Sequence, residues 1–488
     1  ELRKSDKIVT LISLYTIKYE AGIFDKAKCR CVYPGNSEIE GLDYLLRETD
    51  MPFLSTVRVF LALEPFKNEV AVKADISQAF LRAELEPIPA NERRFIIFPA
   101  DISPKGKDGK QKIYRAHRGI YGMHSAGRMW QEMLFIWFVD HGFKQNECDK
   151  TLFTKDGLRV LVWTDDLIIR GTKQMTREFR SRLEETFGDV RWKPLNYVLG
   201  IDVHKSPEGW LGIHSSSYVS KIVKREGLEE VKPKASPLPA HLRLTKSDRA
   251  EEIDVEIKNT FQRVLGQLSY LATWTRPDLS YPSSALGTVS HSPKPYHLKM
   301  ARRVVAYLKR DPTLGLRWGM PEINDYLNVL LIYSDASWAQ EDEYCSQSGF
   351  VAILNNAPIH WGSTKQEFPA LSSTEAEIIA GCNALRHTLF LKRLLESLGF
   401  AQGLVRIFFD AENAIRFNTS EKVSKRNHHI GVRYMRVRYH VGKDITCEFV
   451  KTVDMLADVC TKNAEQAQFE RLVAKMMSSF GAEAETME

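Results

Sequence analysis

The stretch Leu161-Val162-Trp163-Thr164-Asp165-Asp166-Leu167-Ile168-Ile169 constrains this chain more than any other. The apolar runs on either side read as two short buried strands, which puts the adjacent carboxylates at or near a hairpin turn. A turn accepts Asp readily because the short side chain bonds the local backbone, so a solvated turn is one reading. The other is a metal site. Clustered carboxylates supply the hard oxygens that Mg²⁺ prefers and leave room for water and phosphate. The pair taken alone leaves both readings open.

A chain of 488 residues exceeds one ordinary core, and about two to four domains are expected. The net charge of +6, from 68 basic and 62 acidic residues, is too mild to define a partner. Seven cysteines are scattered, and the nearest pair, Cys29 and Cys31, lacks the spacing of a zinc knuckle. This usage points to reduced intracellular thiols and away from a disulfide framework. No apolar run reaches the roughly 18 residues of a membrane span. The chain begins at Glu1 instead of Met, so a fragment or processed product is expected.

Along the chain, Lys26-Ala27-Lys28-Cys29-Arg30 alternates basic residues as a strand would, giving either a charged face or a solvated edge. Leu54, Val57 and Leu61 repeat at helical spacing after Pro52, with Ser55 or Thr56 as candidate caps. Val70–Ala74 reads as a strand running into Asp75 and then a short helical turn carrying Phe80. A lone Asp there is ordinarily a helix cap, and a lone Phe a core ring; beside a second acidic pair, Asp75 becomes a candidate third metal carboxylate. A Gly-bearing turn, Arg118–Met123, opens an apolar helix through Phe138 that contains Arg128 and Trp130. Lys173, Arg177, Arg180 and Arg182 give a basic helical face, which solvation or template grip would explain equally. Residues 232–260 read as a linker or thumb approach, and 261–314 as helical with basic clusters.

A second series of acids follows. A strand at Val329–Tyr333 ends in Ser334-Asp335, and Asn355-Asn356-Ala357-Pro358 reads as a hairpin. Ser372 and Glu375 fit a capping box, which makes Glu375 structural and sets Glu377 further along the helix. Ile407–Phe409 is a strand ending in Asp410, and Asp458 sits early on a last helix. Each acid alone has a structural explanation as a cap. Strand-end Asp, helix Glu, strand-end Asp and helix Asp together form an ordered set. His428 and His429 invite a zinc reading, but no cysteine pair stands at suitable spacing.

Taken in order, these stretches resemble the reverse transcriptase and ribonuclease H region of copia-type LTR retrotransposon Pol polyproteins. Lys28-Cys29-Arg30 resembles the family's K-A-R, Asp75–Phe80 its D-V-K-T-A-F, Ile120–Met123 its L-Y-G-L, and Arg128 with Trp130 its R-x-W. Trp163-Thr164-Asp165-Asp166 takes the place of Y-V-D-D, and Thr275–Leu279 that of T-R-P-D-I. Ser334–Trp338, Ala370–Glu377, Asp410–Ile415 and Leu456–Lys462 resemble the Y-S-D-A-x-W, A-L-S-S-T-E-A-E, D-N-x-x-A-I and L-A-D-x-x-T-K stretches. His124-Ser125-Ala126-Gly127 departs from the family's K-Q-A-P. Gly431 and Met435 depart from an Asp and a His in the basic stretch that begins at Ser424, for which a hybrid-gripping edge is implied.

The resemblance implies a mixed α/β (α+β) fold: a right-hand polymerase of fingers, palm and thumb, then a ribonuclease H-like mixed-sheet domain. The expected divisions are 1–245 for fingers and palm, 246–325 for thumb and connection, 326–465 for the ribonuclease H-like domain and 466–488 for a tail. Asp75, Asp165 and Asp166 would hold metal in the first site, and Asp335, Glu377, Asp410 and Asp458 in the second, with two Mg²⁺ (or Mn²⁺) ions in each. Lys28, Arg30, Phe80 and Arg128 would bind substrate, Lys28 and Arg30 on the triphosphate and Phe80 against a ribose 2′-hydroxyl. The implied partners are RNA template, DNA primer, RNA–DNA hybrid and deoxynucleoside triphosphates, with no membrane, and an oligomer or other proteins of the element as companions. The implied location is intracellular, cytoplasmic in virus-like particles, with the nucleus as a second place. The competing reading is a decayed or co-opted copy that binds nucleic acid without polymerising, or that keeps hybrid nuclease activity alone; Ser125, Gly127 and Thr164 favour it.

Overall fold

The computed structural model describes residues 7–20, 23–44, 46–63, 69–85, 94–107, 109–206, 209–319, 327–339, 344–420 and 431–481. Two compact units emerge, one of residues 1–52 and 70–194, the other of 53–69 and 195–488.

In the first unit, a three-stranded sheet has the order β1 (Ile8–Thr10), β5 (Arg94–Ile97), β6 (Ile113–Ala116), and β2 (Ile12–Glu20) pairs with β3 (Ile23–Val32) as a two-stranded ribbon. The larger sheet has six strands: β4 (Glu69–Ile76), β7 (Lys144–Gln145), β8 (Leu152–Lys155), β9 (Leu158–Trp163), β10 (Asp166–Thr172) and β11 (Val190–Pro194). They lie in the order β11-β4-β10-β9-β8-β7, so β9 and β10 are interior. Their apolar residues are covered on both faces, which is why they read as unbroken hydrophobic runs. Helix α2 (Ala126–Asp140) supplies Trp130, Leu134 and Phe138 to the same core as Phe153, Val160, Val162, Leu167 and Ile169. Helix α3 (Lys173–Phe187) is capped by Thr172, whose side chain accepts from the Met175 N–H, and buries Phe179, Leu183 and Phe187. Its apolar stripe is spaced for that packing, leaving the basic residues Arg177, Arg180 and Arg182 outward.

The second unit includes helix α1 (Leu54–Ala62). Phe53 occupies its N-cap position without a side-chain bond, and Ser55 and Thr56 lie buried inside the first turn. The candidate caps therefore do not cap, because the helix starts before them. Arg58 of α1 is buried. Its Nε donates to the Ile359 carbonyl at 2.7 Å, and its guanidinium lies 4.2 Å from the Trp361 ring centroid. A small sheet has the order β12 (Tyr197–Val198), β13 (Ile201–Lys205), β14 (Leu211–His214), β15 (Leu316–Trp318). Helix α4 (Ser216–Arg225) follows the small sheet's hairpin, and α5 (Val255–Trp274), α6 (Ser280–Gly287) and α7 (Pro295–Leu308) carry the helical stretch expected near 261–314. Between α5 and α6, Arg276 binds Asp278 through two bonds of 3.0 and 2.7 Å, and Tyr307 donates to the same carboxylate at 2.7 Å. This buried network pairs the two charges with each other, while Arg276 Nη1 keeps no hydrogen-bond partner.

The last sheet is mixed, ordered β18 (Ala357–Lys365), β17 (Gln347–Leu354), β16 (Leu331–Ser337), β19 (Val405–Phe409), β20 (Ile445–Phe449). β16–β17 and β17–β18 are antiparallel; β16–β19 and β19–β20 are parallel. The β17–β18 turn is Asn355-Asn356, both with positive φ, the backbone a tight two-residue hairpin demands. Helix α8 (Ser373–Ser397) is capped as expected, the Ser372 hydroxyl accepting from the Glu375 N–H at 3.1 Å. Its buried face runs through Ala376, Ala380, Gly381 and Ala384, small residues that bring the helix close to the sheet. A Cβ at Gly381 would meet the Phe409 ring at 3.0 Å. Helices α9 (Glu412–Thr419), α10 (Gly431–His440) and α11 (Gln466–Met476) complete the unit. The fold class is thus the mixed α/β one expected, with a five-stranded mixed sheet towards its carboxyl-terminal end. No helix among the described residues is long and apolar enough to cross a membrane.

Candidate functional site

Two carboxylate clusters stand out, one in each unit. The first is built on the β9–β10 turn. Trp163 pairs with Asp166, so Thr164 and Asp165 are the two turn residues. Thr164 has φ +58°, a left-handed backbone unusual for a β-branched residue and a form of strain that concentrates at functional sites. The turn is held from below: Trp130, fully buried on α2, donates its indole N–H to the Thr164 carbonyl at 3.0 Å. Asp75 lies near the end of the adjacent strand β4, where the next amide, Ile76, donates to the Asp165 carbonyl at 3.4 Å.

Electrostatics tie these groups together. Burial raises the Asp165 carboxyl above the ordinary carboxylate range and Asp75 adds to the rise, while Arg30 and Lys28 on β3 pull it back. Asp166 is likewise raised by burial and by Asp165 and Asp75, and Lys73 opposes the shift. Arg30 sits 5.9 Å from the Tyr121 ring centroid, and Phe80 packs 5.4 Å from the same ring. Tyr121 reaches this position through Gly122, whose φ is +93° and where a Cβ would lie 2.2 Å from the Tyr33 carbonyl. Only glycine allows that approach. Phe80 is half-buried on the turn Ala79–Leu81 and also packs against the core. Arg128 is paired with Glu132 one turn along α2, with an Nη2–Oε1 distance of 2.6 Å. The Ser125 hydroxyl is buried without a hydrogen-bond partner.

The second cluster is tighter. Asp335 on β16, Glu377 on α8 and Asp410 just past β19 each offer a carboxylate oxygen, and these oxygens lie within 4.8 Å of one another. Among the described residues this is the one group of three potential metal ligands so gathered. The Ala336 N–H donates to Glu377 Oε1 at 3.2 Å, while Glu377 Oε2 is buried without a partner. An orphaned carboxylate oxygen in an all-oxygen donor set is what a hard divalent cation would satisfy. Asp458, on the short 3₁₀ turn Leu456–Cys460, is also buried, and its Oδ1 lies 2.9 Å from Lys462 Nζ. The Thr461 hydroxyl donates to Asp335 Oδ2.

Burial, then the charges of Asp335 and Asp410, push Glu377 well above its usual range. Burial and Asp335 likewise raise Asp410, and push Asp458 up to about 8. Burial works against the Lys462 ammonium, but Asp335, Asp458 and Asp410 more than offset it, and its pKa is raised. So much negative charge in so dry a place holds onto cations, protons included.

Sequence reasoning named all seven carboxylates but gave no role to Trp130, Thr461 or Lys462. Each acts through a contact that only the folded chain creates. Their signal was the motifs R-x-W and T-K, which list residues without saying what they touch. The stretch 424–430, with His428 and His429, lies outside the described residues.

With this geometry in view, the comparisons with known proteins fall into place. Residues 1–240 match the family model of reverse transcriptase (RNA-dependent DNA polymerase). Over most of its length the chain is similar to the Pol polyproteins of copia-type transposons. It is 28% identical over 480 residues to the retrovirus-related Pol polyprotein from transposon RE1 of Arabidopsis thaliana, covering 95% of this chain and 31% of that protein. It is 25% identical over 457 residues to the one from transposon TNT 1-94 of Nicotiana tabacum, covering 91% of this chain and 33% of that protein. The chain thus spans about a third of the length of these relatives. Among solved structures, the foamy viral protease-reverse transcriptase in complex with RNA/DNA hybrid aligns with a TM-score of 0.45 at 13% identity, over 87% of this chain and 49% of that one.

Proposed function

We propose that this chain is an RNA-directed DNA polymerase that also degrades the RNA strand of RNA–DNA hybrid. Residues 1–245 would form fingers and palm, 246–325 thumb and connection, 326–465 the nuclease domain and 466–488 a tail. The observation that carries the nuclease half is the convergence of the Asp335, Glu377 and Asp410 oxygens within 4.8 Å, with Glu377 Oε2 left unpartnered. Asp75, Asp165 and Asp166 would hold Mg²⁺ or Mn²⁺ for polymerisation, and Asp335, Glu377, Asp410 and Asp458 for hydrolysis, two ions to a site. When bound, such ions activate the attacking oxygen and stabilise the leaving one.

The chain's own residues do the rest. The Ala336 amide fixes Glu377 by one oxygen, and Thr461 orients Asp335. In the first unit, Lys28 and Arg30 already oppose the Asp165 charge electrostatically and would meet a triphosphate on the same face. Tyr121 supports Arg30 on one side and Phe80 on the other, so that Phe80 would crowd a ribose 2′-hydroxyl. Arg128, held by Glu132, would take a place on the substrate by exchanging that partner for a phosphate.

A second reading, in which the nuclease alone survives, has its own support. The first cluster does not gather three ligand oxygens as closely as the second, and the Ser125 hydroxyl is buried without a partner. Primer extension on an RNA template with Mg²⁺ or Mn²⁺, alongside loss of labelled RNA from hybrid, separates the readings. Extension lost in Asp165→Asn and cleavage lost in Asp335→Asn is the result expected of the double activity. Cleavage without extension in the unsubstituted chain would sustain the second reading.

A further inference from the structure

The nuclease cluster contains a cation of its own. Lys462 follows Asp458 by one helical turn and places its Nζ 2.9 Å from Asp458 Oδ1. Its ammonium also acts electrostatically on Glu377 and Asp410 and is in turn stabilised by Asp335. The four carboxylates are not equivalent around it. Asp335, Glu377 and Asp410 converge on one point, and Asp458 is not part of that group. Asp458 is the acid that carries the ion pair with lysine. Asp335 faces both sides, its Oδ2 accepting from Thr461, the residue between Asp458's turn and the lysine.

A strongly hydrated ammonium is seldom placed among buried acids without offsetting a charge there. We propose that Lys462 is the resident counter-cation on the Asp335–Asp458 side of the nuclease centre, so that without nucleic acid the centre takes one divalent ion, at Asp335, Glu377 and Asp410, and gains the second only when Lys462 gives up its place. This rests on the nuclease reading above and deepens it. Lys462 is a positioning residue, acting on the carboxylates and not on the substrate. The second ion then arrives with the hybrid, whose phosphate would attract the released ammonium. A free chain would not carry a fully loaded, hydrolysis-ready centre.

The test is ion stoichiometry, which a merely structural lysine would not alter. Full-length chain bearing Asp75→Asn and Asp165→Asn, to silence the first cluster, is titrated with Mn²⁺ in mildly alkaline buffer without nucleic acid. Binding is followed by calorimetry and by the paramagnetic resonance of the free ion. One tight Mn²⁺ is expected. Lys462→Met, close in length and uncharged, should gain a second ion bound at least roughly tenfold more tightly than any second ion in the lysine chain. Lys462→Arg, which keeps the charge, should remain at one, and circular dichroism shows whether each variant is folded. If folded Lys462→Met gains no ion, or the lysine chain already binds two tightly, the proposal is overturned. Cleavage of hybrid by the lysine chain is scored separately, so failure of the nuclease reading and failure of the lysine proposal are told apart.

Discussion

The two acidic clusters solve one problem, holding like charges together, in opposite ways. In the second cluster the carboxylates project from a strand, a helix and a strand end, over a helix packed close by small residues, and burial is nearly complete for Asp335, Glu377 and Asp458. In the first cluster two of the three acids sit at a hairpin turn, half-buried, held by a strained Thr164 and one indole bond. The second cluster is pre-formed by its scaffold; the first is open, and cations from the separate strand β3 compensate it. A centre on rigid elements stays organised without ligand, whereas one on a turn relies on what is bound to it.

The widest separation between the two should come from removing one charge in each. Asp335→Asn is expected to lower hybrid cleavage by roughly 10³-fold or more while leaving primer extension intact, and Asp165→Asn to do the reverse. Parallel loss of both activities in either variant, in folded protein, would mean the clusters are not independent centres. Next in size is Phe80→Ala. If the ring crowds the ribose, incorporation of ribonucleotides relative to deoxynucleotides should rise by roughly 10- to 100-fold. Unchanged sugar selectivity would return Phe80 to the core that it also touches.

Acidity gives a third contrast. Glu377, Asp410 and Asp458 are raised in the folded chain, Asp458 to about 8 against an ordinary 3.8. The folded state therefore binds more protons than the unfolded one through the interval between those values. The resulting stabilisation is complete at low pH and is lost as pH rises through the folded pKa values. In chelator, the melting temperature of the second unit should fall between mildly acidic and mildly alkaline buffer. Added Mg²⁺ should restore it, with an increment that grows with pH because the acids no longer need to be deprotonated. Thermal melts monitored by tryptophan fluorescence, with and without Mg²⁺, read both trends. An Mg²⁺ increment independent of pH would show that the cluster does not take up the ion through these acids.

What the sequence revealed follows the same division. The hairpin at Thr164-Asp165, the Asn355-Asn356 turn, the Ser372 cap and the strand leading into Asp410 were legible because each depends on residues close in sequence, whereas the strand of Asp335, expected to end there, runs on to Ser337 because it pairs with β17. The caps expected of Ser55 and Thr56 failed because tertiary burial of α1 against β18, through Arg58 and Ile359, chose an earlier start. The buried face of α8 combines Ile378 and Leu385 with Ala376, Ala380 and Ala384, the small residues letting the helix approach the sheet. Trp130 and Thr461 escaped because a donor's partner, tens of residues away for Trp130 and more than a hundred for Thr461, leaves no periodicity to read, whereas Lys462 stands four residues after Asp458, a spacing the sequence does show.

Those supports yield the smallest and most discriminating effect. Trp130→Phe keeps the buried ring but removes the indole N–H that holds the Thr164 carbonyl; Thr461→Val keeps shape but removes the hydroxyl that donates to Asp335. Each leaves a buried acceptor short of a partner, a loss of about 1–2 kcal/mol. On a turn already strained, that loss should spread into geometry, so Trp130→Phe is expected to slow extension by roughly tenfold and leave cleavage alone. In the second cluster Asp335 remains fixed by its strand, so, on the proposed reading, Thr461→Val should cost cleavage only a few-fold and raise the Mg²⁺ concentration that cleavage requires. Single-turnover rates for both reactions in both variants decide the matter. If Thr461→Val proves the more damaging of the two, the rigid scaffold of the second centre is not what organises it, and the contrast between pre-formed and ligand-dependent sites fails.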